Sequence, residues 1–211
     1  MSLFPELRQH GAKELPGLFL GDRALEMPEE EGELWLQEVA IAIAKTGAKG
    51  VDFLLSCVPV VDESRLRAIL LAMSFVQKLS ARKRAAICEL ARTLLKDKRA
   101  RIVAEAVDTL SKLAGPKAAE SVSPLLHHPS PYVVGSALRF FAHHDPERAI
   151  PLLEIALKSE EPIVRQNAVD ELDDMNYAPA LPKIRRLLRD PDADVRQAAQ
   201  YAVTHLENAS I

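Results

Sequence analysis

The sequence predicts an all-α protein, an α-solenoid of stacked antiparallel helix pairs. Apolar positions recur every 31 residues in two separate stripes of helical spacing, the sign of a repeated helix pair. Helix formers dominate while Gly contributes only 8 of 211 residues, and no run of β-branched residues alternates with polar ones. Turn-forming residues also fall at the same place in successive repeats.

The first 33 residues contain "LFPEL", "ELPGLFLGDRAL" and the acidic "PEEEGE", and nothing in them repeats. A solenoid must cover the apolar end of its stack, so residues 1–33 read as an irregular N-terminal cap, with a docking arm as the other reading. Residues 34–211 read as the solenoid itself. Within it, 34–58 form a divergent first helix pair outside the 31-residue register, and regular repeats run from about 64 to 211.

The register of the first helices is carried by Ile102, Val133, Val164 and Val195, each followed one turn later by a small residue, Ala106, Ala137, Ala168 or Ala199. Projected back another 31 residues it reaches Leu71, with Phe75 and Leu79 further along, which predicts a longer first helix in that copy. The second helices carry Cys88, Ala119, Ile150 and Leu181, then Ala91, Val122, Leu153 and Ile184, then Leu95, Leu126, Leu157 and Leu188. Ser130, Glu161 and Asp192 stand where N-caps belong, and Pro131 and Pro162 follow two of them at the first helical position. "AGPK", "HHDPE" and "MNYAP" are short connections between the two helices of a pair.

A helix opening "DPDADVRQAAQYAV", followed by a shorter partner and repeated at this period, resembles the HEAT repeat, most closely its short bacterial variant of phycobilin-lyase-like proteins. The resemblance covers roughly residues 64–207 and rests on Asp192, Asp194, Val195, Arg196 and Ala199, with Val164, Arg165 and Ala168 in the preceding copy. In the middle copies Val134 and Val103 replace the Arg, which interrupts any ladder of polar pairs there. The resemblance implies a fold and a binding surface more than an activity; it also brings in DNA glycosylases of HEAT-like build and bilin lyases as possible roles.

The chemistry of the side chains points away from catalysis. There is no glycine-rich phosphate loop, no HExxH and no zinc spacing, and "EEEGE" and "ELDDM" read as solvated faces. No catalytic, cofactor or metal site is expected; the pairs His127/His128 and His143/His144 lie at helix ends where polar residues belong anyway. Cys57 and Cys88 stand among apolar residues and read as buried free thiols. The apolar runs "VAIAIA" and "AILLAM" fall far short of the roughly 20 residues of a membrane span, and the N-terminus lacks the pattern of a signal peptide. A soluble, cytoplasmic protein without membrane contact is expected.

The net charge of -3 conceals segregation: residues 1–63 carry 5 basic and 12 acidic side chains, 64–117 carry 13 and 4, and 118–211 carry 9 and 14. In the basic stretch Lys78, Arg82, Lys83 and Arg84 crowd a connection, and Arg92 follows. A second period-31 series, Lys96, His127, Lys158 and Arg189, follows the last apolar residue of each second helix, with Arg185 near its far end. These ten residues are the candidate partner-binding set. The expected function is a non-catalytic interaction or scaffold module that takes a protein partner, with an acidic segment, on its concave helical surface; the alternative is nucleic-acid binding by the basic central repeats. Residues 64–117 hold a single aromatic, Phe75, and the lone Trp is Trp35, which is poor equipment for gripping an extruded base. Plain solvation, neutralisation of the acidic N-terminal third, and the preference for cations at helix C-termini explain the same charges without a partner.

Overall fold

A computed structural model describes residues 4–76 and 78–208; of the regular repeats expected to run to 211, residues 209–211 lie outside the described part. Among the described residues there are twelve α-helices, short 3-10 turns and no strand, so the protein is an α-solenoid of helix pairs. The chain divides into two compact units, Met1–Leu113 and Ala114–Ile211.

The first unit contains α1 (Leu15–Leu20), α2 (Glu29–Lys45), α3 (Ala48–Cys57), α4 (Glu63–Ser74), α5 (Ala81–Leu94) and α6 (Ala100–Leu113). Helices α2, α4 and α6 pack in sequence as one layer, with α3 against α2 and α5 against α6. Phe4, Leu7, Leu15 and Phe19 are buried, and Phe4 meets fully buried Trp35 of α2 edge-on at 5.2 Å. Arg65 of α4 holds this segment in place by donating to the backbone carbonyls of Phe19 and Gly21 at 2.8 and 2.7 Å, and it also pairs with Asp62, the N-cap of its own helix.

The longer first helix projected through Leu71, Phe75 and Leu79 is not found. Helix α4 stops at Ser74; Phe75 is its C-cap at 57% exposure, and its large buried apolar residues are Leu66, Ile69, Leu70 and Met73. Leu66 and Leu70 pack with Ile102 of α6. From the N-cap Asp62 to the buried Ile87 of α5 is 25 residues, whereas from the N-caps Ser130 and Glu161 to the buried Ala149 and Ala180 is 19. The six extra residues fall at the α4–α5 connection and the N-terminal turns of α5, where an ungapped projection cannot see them.

The second unit contains α7 (Ala119–Val122, flanked by 3-10 turns), α8 (Pro131–His144), α9 (Pro146–Ala156), α10 (Pro162–Asp174), α11 (Leu181–Leu187) and α12 (Ala193–Asn208). Helices α8, α10 and α12 form one layer; α9 packs on α8 and α10, and α11 packs on α12. Val133, Val164, Val195 and the alanines one turn on are buried as the register demands, as are Ile102 and Ala106 in the first unit. A Cβ on Gly135 would lie 2.1 Å from the side-chain amide nitrogen of Asn167 on α10, so a larger residue there requires that side chain to move.

One row of the second-helix stripe is displaced by one residue from the sequence reading in three of its four copies, Cys88 being buried as expected. Ala91, Val122, Leu153 and Ile184 are buried as expected, but Ala119, Ile150 and Leu181 are only half-buried, and the fully buried set is Ile87, Ala118, Ala149 and Ala180. Cys57 and Cys88 are buried free thiols.

Of the three expected caps only Asp192 acts as one, its Oδ1 accepting the Val195 and Asp194 amides at 3.1 and 3.0 Å. Ser130 and Glu161 make no side-chain cap; instead their own amides donate to His128 and to the Ser159 hydroxyl. Asp192→Ala is therefore expected to cost about 1 kcal/mol. An unchanged thermal midpoint would contradict that.

Candidate interaction surface

Charge in the second unit is sorted by layer. The second-helix segments 115–127, 145–158 and 178–189 contain 7 Lys and Arg against 4 Asp and Glu, while the first helices 131–144, 162–174 and 193–208 contain 3 against 6. Yet the unit as a whole, residues 114–211, carries 10 basic and 14 acidic side chains. Helical geometry turns one stripe of each second helix outward: Lys117, Glu120, Pro124 and His127; Arg148, Pro151, Ile155 and Lys158; Pro179, Pro182, Arg186 and Arg189, all exposed. This stripe contains one acid and five Lys or Arg. Ile155 stands among them at 70% exposure.

Pairing divides these cations into two groups. Arg148 donates to the Ser123 hydroxyl at 2.6 Å and stacks over Phe141 at 4.2 Å; Lys183 pairs with Glu154 at 2.6 Å and Arg185 with Glu207 at 2.7 Å. Lys117, Lys158, Arg186 and Arg189 make no ion pair among the described residues and project into solvent.

The predicted binding set is thus distributed over both units. Lys158 and Arg189 stand in the turns that close α9 and α11, and His127 closes the 3-10 turn after α7, so the three are equivalent positions of one unit. Lys96, the first member of the series, is exposed after α5 in the other unit. Arg92 lies 3.5 Å from Glu89. Lys83 is held by Asp52 at 2.6 Å and the Ala48 carbonyl at 2.8 Å, and Arg84 donates to the Leu113 carbonyl at 3.2 Å, so these two anchor helix ends. Lys78 and Arg82 are exposed. Neutralisation is visible throughout the first unit: Glu33 receives Arg67 at 2.8 Å and Arg101 at 3.4 Å, and residues 1–113 balance 17 basic side chains against 16 acidic ones.

Two buried polar features went unread in the sequence. Arg165 meets Asp190 through two hydrogen bonds of 2.8 and 2.7 Å and also donates to the Ser159 and Glu160 carbonyls. Those bonds to Arg165 hold the Asp190 carboxyl below its ordinary range. On α10, Glu171 is 4% exposed, 3.2 Å from Arg139 and 3.5 Å from His143, and burial pushes its carboxyl up to about 7. Its Oε2 accepts no hydrogen bond. A signal for Glu171 existed: it holds the repeat position of Thr109, Phe140 and Ala202, all buried.

Residues 120–204 match the HEAT repeats family. The second unit is built of HEAT repeats. Solved structures share this fold over most of the chain. The X-ray structure of YibA from Escherichia coli is 16% identical with a TM-score of 0.71, covering 98% of this chain and 77% of that one. The complex of CpcE and CpcF of phycocyanin lyase from Nostoc sp. PCC7120 is 17% identical with a TM-score of 0.54, covering 96% of this chain and 86% of that one. An engineered protein is 16% identical with a TM-score of 0.50, covering 93% of this chain and 96% of that one. At these identities the likeness is one of fold. No curated protein sequence matches the chain. No helix among the described residues is long and apolar enough to cross a membrane, and no group of three His, Cys, Asp or Glu there could hold a metal ion.

Proposed function

We propose that the protein is a non-catalytic interaction module whose HEAT-repeat unit binds an acidic segment of a protein partner on its second-helix face. The observation that carries this reading is the sorting of charge: a unit with an excess of acids turns outward a stripe with five Lys or Arg and one acid, on which Lys117, Lys158, Arg186 and Arg189 are unpaired and Ile155 is exposed. Helix-end electrostatics account for Lys158 and Arg189 but not for Lys117, which precedes its helix, where the dipole disfavours a cation. A field of one sign speeds encounter with an oppositely charged segment, and an exposed Ile supplies apolar contact beside it. A cytoplasmic location belongs to the same proposal and is supported by the free thiols Cys57 and Cys88.

The test is anisotropy with a labelled peptide of alternating glutamate and leucine, run beside duplex DNA across a salt series. The peptide is expected to bind and to lose about tenfold or more in affinity on Lys158→Glu with Arg189→Glu, with helical circular dichroism retained, while DNA stays unbound at about 50 mM salt. Peptide affinity unchanged by the double reversal overturns the proposal. Tighter, steeply salt-dependent binding of DNA would transfer the face to nucleic acid.

A further inference from the structure

The first unit departs from the repeat where α4 ends, and the departure leaves an apolar hollow beside the C-terminal turn of α2. Phe75 and Val76 leave α4 and stand near Ile41 and Ala44, enclosing a pocket of about 400 Å³. Phe75 is exposed at 57%, an aromatic ring left in water at a pocket wall, where large apolar side chains mark binding surfaces. Lys45 and Lys78 stand on the rim, neither makes an ion pair among the described residues, and no carboxylate lines the pocket. The nearby cations that do anchor the fold, Lys83 and Arg84, have partners at 2.6 and 3.2 Å, so Lys45 and Lys78 differ from their neighbours in being left over.

We propose that this hollow is a docking site for a short acidic peptide segment of a partner protein, with an apolar side chain seated against Phe75 and carboxylates paired with Lys45 and Lys78. The pocket is large enough for an apolar side chain and the backbone on either side of it, and its apolar walls between two ammonium groups match an apolar residue flanked by acids. A nucleic acid would find one aromatic ring and two cations, too few for a phosphate track. The site is independent of the second-helix face of residues 114–211.

The probe is an acetylated, amidated hexapeptide, leucine and phenylalanine flanked on each side by two glutamates, titrated into the full chain with amide shifts followed by NMR. Shifts are expected at Lys45, Gly47, Phe75, Val76 and Lys78. Phe75→Ala, and separately Lys45→Glu with Lys78→Glu, are expected to weaken binding about tenfold; both change exposed side chains, so the folded amide spectrum should survive. The matching glutamine peptide should leave these amides still. Equal shifts with the glutamine peptide, shifts that survive Phe75→Ala, or stronger binding of a thymidine decamer at the same amides overturn the proposal. Shifts confined to residues 114–208 overturn it while leaving the second-helix reading intact, and silence in both units overturns both.

Discussion

Asp190→Ala is expected to destabilise the second unit by about 3 kcal/mol, toward the lower end of what removing one partner of a buried ion pair costs. Arg165, 8% exposed, would lose two of its four hydrogen bonds, and only the more distant carboxylates of Asp192 and Glu161 would remain to balance its guanidinium. Asp190 also accepts the Asp192 amide at 3.0 Å, so the turn that positions the cap of α12 loses a bond as well. The cost stays toward the lower end because the pair lies at a turn, where water can reach the abandoned guanidinium. Urea unfolding of wild type, Asp190→Ala and the double variant Arg165→Leu with Asp190→Leu measures this directly. The double variant should recover part of the loss, because it buries no lone charge. Since the Asp190 carboxyl is held below its ordinary value, its contribution is present above the unfolded value and is lost as pH falls through the folded one. Wild-type stability for Asp190→Ala at neutral pH would show that the pair contributes nothing.

Glu171 is expected to make stability fall as pH rises. Its carboxyl titrates at about 7 in the folded protein because it is buried, against an ordinary value of 4.5. Between those two values the folded state holds a proton that the unfolded chain has released, so stability is greatest below the unfolded value and declines as pH climbs toward the folded one. The full decline is about 3 kcal/mol. The charged groups acting on it are Arg139 and His143 from α8, with Asp170 and Asp174 on its own helix. Glu171→Gln keeps the shape and removes the titration, so comparison with wild type isolates this one carboxyl. The variant's stability relative to wild type should rise between about pH 5 and about pH 8. A difference that does not change with pH would mean that Glu171 is ionised throughout.

How far the fold could be read from the chain follows from where its regularity holds. In the second unit each first helix repeats a β-branched residue and an alanine one turn apart, and the structure buries all of them, because packing identical hairpins at a fixed distance demands the same volume each time. One row of the second-helix positions was misread by one residue for a physical reason. Apolarity favours the larger Ile150 and Leu181, but close approach of two helices selects the small Ala149 and Ala180 beside them. In the first unit Arg65 takes the cap-plus-three position that Val133, Val164 and Val195 occupy, and a buried arginine satisfied by the carbonyls of Phe19 and Gly21 leaves no apolar signature to follow.

The candidate surface was partly legible. Lys158 and Arg189 emerged from periodicity alone, but Lys117 and Arg186 did not, because the exposed stripe is defined by what faces away from α8, α10 and α12 rather than by the last apolar residue of a helix. Lys83 and Arg84 read as free positive charge until their partners Asp52 and Leu113, distant in sequence, were in place. Glu171 was hidden in "ELDDM", where composition suggests a solvated face and only its repeat position betrays burial.

The HEAT-repeat unit is expected to behave as a stack in which each helix pair is held by its neighbours, and hydrogen exchange on the chain lacking residues 191–211 measures this. Helix α12 covers α10 and α11 and touches them more extensively than any other part of the unit. Its removal should sharply reduce amide protection in α10 and α11 while α8 and α9 keep theirs, as a nearest-neighbour stack requires. Unchanged protection in α10 and α11, or simultaneous loss from all four helices, would contradict it.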